Sequence, residues 1–208
     1  MLYTATIAGS TLALLKKIQQ IPLFADLRLV GGTALALQFG HRVSVDLDFF
    51  GKFDRAFEEI ENELIMHEFT IDPYNKSKYI KQLAVDGVKV DFVNYRYDWI
   101  DSAIEEDGIK MAGLKDIAAM KLSAIAGRGT KKDFVDIYYL LQHFTLQEML
   151  NFYSTKYLNA SLFPVMLSLS YFVDAESTPM PKMIIPIEWN TIKSAIRKTI
   201  ETFDSRKY

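Results

Sequence analysis

The stretch LRLVGGTALALQFGHRVSVDLDFF, residues 27–50, decides the fold. It opens on a short apolar run, residues 27–30, that reads as a buried strand. Gly31, Gly32 and Thr33 follow, and residues 33–39 form a short helical segment closed by a turn at Gly40-His41-Arg42. Residues 43–50 then alternate. Val43, Val45, Leu47 and Phe49 fall on one face, and Ser44, Asp46, Asp48 and Phe50 fall on the other, which is the period of a strand.

Asp46 and Asp48 are the chemistry-bearing part of that pattern. Residues two apart in a strand point the same way, so both carboxylates leave one face about 7 Å apart along the chain. Like charges so placed repel, and aspartate is a poor strand former. A divalent cation removes the penalty, since Mg²⁺ takes carboxylate oxygens together with phosphate and water. The plain alternative is an exposed edge strand with two solvated carboxylates; the flanking Val45, Leu47, Phe49 and Phe50 argue for burial instead. Upstream, glycines between a strand and a helix let backbone amides approach a phosphate at the helix N-terminus. Thr33 is placed to bond that phosphate or to cap the helix.

Working outward, residues 11–20 read as an amphipathic helix stopped by Pro22, and residues 54–67 as an acidic helix. Residues 69–71, 79–85 and 88–95 read as strands, the last two joined by a turn at Asp86-Gly87. After about residue 108 only helices are expected, over 114–126, 132–144, 146–157, 161–172 and 189–203, with a proline-punctuated loop at 174–186. The layout predicts an α+β protein: a mixed sheet with helices in residues 1–110, then a helical C-terminal subdomain, 111–208, closing a nucleotide cleft.

Several charges sit among apolar residues. Asp91 lies in a strand of valine and phenylalanine, where a salt bridge to a lysine or arginine competes with a metal role. Lys121 falls inside the apolar stripe of its helix, and Arg128 shares its direction if the helix continues. Such cations can meet a triphosphate, snorkel to the surface or pair with a core acid. Asp133 lies beside Phe134, Ile137 and Leu141, but Thr130-Lys-Lys-Asp133 also resembles a capping box; Asp136 is placed to pair with Arg128.

Composition bounds the rest. The 208 residues are half hydrophobic and 24% charged, with a net charge of −2 and no cysteine. That excludes a disulfide scaffold and thiolate chemistry, and three histidines make a histidine metal cluster an unfavoured reading. Residues 1–10 lack a signal-peptide pattern, and no apolar run is long enough to span a membrane, so the expected compartment is the cytoplasm. No Walker A, Gly-x-Ser-x-Gly or HExxH pattern occurs. Net charge does not announce nucleic acid, so any such substrate must be held by a local patch.

The combination resembles the AbiEii/AbiGii-type toxins of the DNA polymerase β nucleotidyltransferase superfamily. The likeness lies in Gly31-Gly32-Thr33-Ala-Leu-Ala-Leu37 and His41-Arg42-x-Ser44-x-Asp46-Leu-Asp48-Phe-Phe50. It continues in Lys121-Leu-Ser-Ala-Ile-Ala-x-Arg128-Gly-Thr-x-Lys132-Asp133-Phe-x-Asp136. The resemblance implies that Gly31, Gly32 and Thr33, with His41, Arg42 and Ser44, hold nucleotide phosphates. It implies that Asp46 and Asp48 bind Mg²⁺ with Asp91 as the third carboxylate, and that Lys121, Arg128, Asp133 and Asp136 complete the catalytic and nucleotide-binding set. The implied activity is metal-dependent transfer of a nucleoside monophosphate from a nucleoside triphosphate to an acceptor hydroxyl, including tRNA or other RNA 3′ ends. The implied setting is a toxin with a cognate antitoxin. Two other readings stay open: a non-catalytic nucleotide- or partner-binding module of the same fold, and an enzyme that nucleotidylates a small molecule such as an antibiotic.

Overall fold

Short β-branched and aromatic runs build a sheet in the first half of the chain, and longer amphipathic runs build helices in the second. The computed structural model describes residues 1–52 and 56–203. They divide into a sheet unit, residues 1–97 and 102–112, and a helical unit, residues 98–101 and 113 onward.

The sheet unit contains α1 (Gly9–Gln20), β1 (Arg28–Leu29), α2 (Gly31–Phe39), β2 (Leu47–Gly51) and α3 (Phe57–Met66). It continues with β3 (Ile71–Lys76), β4 (Ile80–Val85), β5 (Val88–Asn94), β6 (Ile104–Glu106) and β7 (Ile109–Met111). Among the described residues seven strands form one mixed sheet in the order β3-β4-β5-β2-β1-β7-β6. β2 runs parallel to β5, and β4 runs antiparallel to β5 on its other side. One sheet face is dry: Leu47, Phe49, Leu83, Val90 and Phe92 are fully buried, and Phe92 packs against Phe24 and Phe49. The alternate residues Asp48, Phe50, Gln82, Lys89, Asp91 and Val93 are only half-buried.

Three local expectations change. Residues 43–46 lie outside β2, because their backbone groups bond elsewhere: Ser44 N–H donates to the Thr6 carbonyl at 2.8 Å, and the Asp46 carbonyl accepts from the Thr33 hydroxyl. Val45, expected inside, is 66% exposed. The edge strand β3 falls at Ile71–Lys76 rather than at 69–71. The β6–β7 hairpin was not expected at all; Asp107 and Gly108 both have positive φ, the turn that two-residue hairpins require, but each arm is three residues long and too short to show a period. The expected helix start at residue 54 lies outside the described residues.

The helical unit contains α4 (Leu114–Gly127), α5 (Lys131–Leu140), α6 (Leu146–Lys156), α7 (Phe163–Ser170), the one-turn α8 (Val173–Glu176) and α9 (Trp189–Glu201). Its core includes Ile117, Leu122, Phe134, Ile137, Met149, Val165, Phe172 and Ile192. Among the described residues no helix is long and apolar enough to cross a membrane.

An ion pair absent from the sequence reading also lies inside this unit. Lys156 Nζ sits 2.6 Å from Asp116 Oδ1, with both side chains fully buried. Lys156 also donates to the Asp98 carbonyl and lies over the Trp99 ring, while Asp116 accepts the backbone N–H groups of Ile100 and Asp101. The pair therefore fastens residues 98–101 to α4 and α6. Lys156→Met leaves a buried carboxylate without its cation and is expected to cost about 3–5 kcal/mol. Urea unfolding measures this, and an unchanged midpoint would show that the pair does not hold the segment.

Candidate active site

In the sheet unit the parallel register of β2 and β5 sets Asp48 directly beside Asp91. Neighbouring strands lie about 5 Å apart, so two carboxylates of like charge are neighbours on the half-open face. Asp91 is held at one oxygen. Gln82 Nε2, directly across on β4, donates to Asp91 Oδ2 at 2.9 Å, and Lys89 Nζ lies 3.4 Å from the same oxygen. The other oxygen, Oδ1, is buried and has no hydrogen-bond partner among the described residues. Asp46 lies in the segment just before β2 and is half-buried.

A buried, unpartnered carboxylate oxygen beside a second carboxylate fits a hard divalent cation. Among the described residues no three acidic or histidine side chains form a group able to hold a metal ion, so the expected set of Asp46, Asp48 and Asp91 is not gathered as three ligands. The donor set therefore suits a cation that arrives with phosphate and water and takes one or two carboxylates from the protein, which is the habit of Mg²⁺.

The glycine pair is shaped by the chain's own side chains. Gly31, the first residue of α2, has φ +69°, and a Cβ there would run into Asp48 Oδ2. A Cβ on Gly32 would collide with the Arg42 guanidinium, whose Cζ would lie 3.2 Å away. An acid and a base thus rest against the bare first turn of α2. Arg42 is buried and donates from Nη1 to the Val43 carbonyl at 3.0 Å. Thr33 does not cap α2; its hydroxyl donates to the Asp46 carbonyl and lies 2.8 Å from Ser44 Oγ, tying down the segment that leads into β2. His41 is fully buried, edge-on to Phe39 at 6.0 Å.

In the helical unit Lys121 is engaged by two acids, 3.1 Å from Asp133 Oδ1 and 2.6 Å from Asp136 Oδ2. Both carboxylates are fully buried and Lys121 nearly so. α4 ends at Gly127, so Arg128 does not share the direction of Lys121: its side chain is 63% exposed, and its Nε lies 3.4 Å from Asp133 rather than pairing with Asp136. Asp133 also accepts from the Thr130 hydroxyl at 2.6 Å and from the Thr130 N–H at 3.3 Å. It serves the capping box and the ion cluster at once. Gln82 and Lys89, the two groups that hold Asp91, escaped the sequence reading; the turn at Asp86-Gly87 was the signal for them, because it sets which residue faces which across the hairpin.

Comparisons with known proteins agree on the fold. A family model described as "Nucleotidyl transferase AbiEii toxin, Type IV TA system" matches residues 13–205. An uncharacterized protein of Aquifex aeolicus is 36% identical over 171 residues, covering 77% of this chain and 81% of that one. Among solved structures, the nucleotidyltransferase toxin MenT4 of Mycobacterium tuberculosis is similar with a TM-score of 0.53 at 15% identity, over 93% of this chain and 85% of its own. The antibiotic-resistance factor ANT(2'')-Ia is similar with a TM-score of 0.52 at 15% identity, over 71% of this chain and 91% of its own.

Asp133 makes the helical cluster testable by pH. Burial pushes its carboxyl up, but the Lys121 charge, the Thr130 hydroxyl, the Arg128 charge and the Lys121 hydrogen bond outweigh that and hold it below the usual aspartate value. A carboxyl with a depressed folded-state pKa contributes stability that is complete above its unfolded value of about 3.9 and lost as pH falls through the folded one. The stability gap between wild type and Asp133→Asn, measured by urea unfolding, is therefore constant from neutral pH to about pH 5 and shrinks below about pH 4. A gap that persists through acid would show that charge does not hold α5 to α4 here.

Proposed function

The chain belongs to the AbiEii family of nucleotidyl transferases, toxins of type IV toxin–antitoxin systems, and from that premise we propose a metal-dependent enzyme that moves a nucleoside monophosphate from a nucleoside triphosphate onto an RNA 3′ hydroxyl. Family membership makes a nucleoside triphosphate the donor and implies an antitoxin as partner. The observation that carries the reading is the Asp48–Asp91 pair, with one Asp91 oxygen buried and unpartnered.

We assign Asp48 and Asp91 to a divalent cation, Mg²⁺ by its preference for carboxylate and phosphate oxygens. That ion supplies Lewis-acid stabilisation of the oxygens of the reacting phosphate. Gln82 and Lys89 fix the Asp91 carboxylate by one oxygen, which leaves the second as the candidate ligand. Gly31 and Gly32 add no side chain of their own to the first turn of α2, against which Asp48 and Arg42 rest, and the Arg42 guanidinium beside Gly32 is assigned to the triphosphate. Thr33 and Ser44 hold the Asp46 segment in place. The acceptor hydroxyl attacks the α-phosphorus and gives up its proton to water, the bond from the α-phosphorus to the oxygen bridging it to the β-phosphate breaks, and pyrophosphate leaves with that oxygen. The reading does not depend on Lys121, whose charge Asp133 and Asp136 neutralise within the helical unit.

Asp48→Asn should lower transfer of labelled nucleotide by more than about a hundredfold, and chelation of the metal should do the same to wild type. Removing one of two adjacent like charges should leave the metal-free variant as stable as wild type, or more stable by about 1 kcal/mol. A variant that melts like wild type and still transfers label would overturn the metal assignment.

A further inference from the structure

Two lysines of the helical unit are engaged by Glu176. Lys131 donates to the Glu176 carbonyl, and Lys193 pairs with the Glu176 carboxylate at 2.6 Å. The sheet unit presents a different set, where β4 begins and β5 ends. Asn94 N–H donates to the Tyr79 carbonyl at 2.9 Å, so Tyr79 lies across from Asn94, and Arg96 is its diagonal neighbour. The Arg96 guanidinium lies 5.0 Å from the centroid of the Tyr79 ring, and Lys78 Nζ lies 5.3 Å from it.

Lys78, Tyr79, Arg96 and Tyr97 are all exposed. Among the described residues neither Lys78 nor Arg96 has a carboxylate within ion-pair distance, in contrast to Lys81 with Glu61 and Lys89 with Asp91. A cation seated on an aromatic ring keeps its charge uncancelled, and a guanidinium stacked by one face offers its other face to a second planar group. Next to it, a row of rings runs inward: Tyr97 is 5.2 Å from Tyr95, and Tyr95 is 5.1 Å from Phe50, two residues beyond Asp48 on β2.

We propose that Lys78, Tyr79, Arg96 and Tyr97 form a binding surface for a single-stranded nucleic acid, with bases stacking on the tyrosine and guanidinium planes and phosphates meeting the two cations. Rings interleaved with uncancelled cations are what an unpaired strand requires, because its base faces are open. A duplex hides those faces inside its own stack and can use only the charges. The assignment of this strand as the acceptor rests on the nucleotidyltransferase reading; the binding surface does not.

The test is fluorescence anisotropy of a labelled single-stranded oligoribonucleotide of about ten nucleotides, against its duplex, with metal chelated and no nucleotide present. The strand should bind more tightly than the duplex, and more weakly as salt rises. Tyr79→Ala and Arg96→Ala should each weaken strand binding about tenfold or more, while Tyr79→Phe retains it. Lys78→Gln should reduce the slope of log affinity against log salt by about 0.7. Circular dichroism melting confirms that each variant is folded. Asp48→Asn, expected to be inactive in transfer, should bind the strand as wild type does, so a failed transfer assay and a failed binding assay are told apart. Strand affinity that is absent, equal for duplex, or indifferent to both Tyr79→Ala and Arg96→Ala would overturn the surface.

Discussion

The parallel pairing of β2 with β5 is the constraint on which the sheet unit turns. It places Asp48 and Asp91 side by side, an arrangement that costs free energy in isolation because both carboxylates are partly withdrawn from water. The surroundings answer that cost asymmetrically. Lys89 and Gln82 hold one oxygen of Asp91, and Asp48 rests against the N-terminal turn of α2, where the peptide dipoles favour an anion. What remains is a buried Asp91 oxygen without a hydrogen-bond partner among the described residues.

The helical unit handles buried charge in the opposite way. Lys121 with Asp133 and Asp136, and Lys156 with Asp116, are closed sets in which opposite charges lie within 3.1 Å and backbone or hydroxyl groups take up further lone pairs. Such clusters are expensive to break and contribute geometry more than net stability. Lys121–Asp133 ties two helices whose participants are twelve residues apart, and Lys156–Asp116 ties two helices forty residues apart. A lysine inside an apolar stripe signals a buried anion, and here the chain itself supplies it.

The glycine turn shows how one motif can answer to two demands. Read alone, Gly31-Gly32 is a bare helix N-terminus for phosphate. In the structure the same bareness admits the Asp48 carboxylate at Gly31 and the Arg42 guanidinium at Gly32. The residue pattern that reads as phosphate binding is therefore also the packing condition for an acid and a base at the helix end. Both follow from the absence of Cβ. The likeness to MenT4 and ANT(2'')-Ia, at 15% identity, extends to the fold and no further.

By itself the sequence determined the fold class and the local elements on which the charged residues sit. The α+β layout, the glycine turn into α2, the Asp86-Gly87 hairpin and the charged positions inside apolar runs are all local patterns, legible because side-chain period and turn chemistry act over a few residues. Only the tertiary structure decided which charges meet. Strict alternation extended β2 back to Val43, yet hydrogen bonds from Ser44 to Thr6 and from Thr33 to Asp46 ended it at Leu47. Arg128 and Lys121 looked equivalent on a helical wheel, but the helix stops between them, leaving one exposed and one buried. Asp91 lies forty-odd residues beyond Asp48, and no period relates them; the register that sets them side by side is fixed by which apolar faces the two strands bury together, a property of the packed sheet and not of either segment.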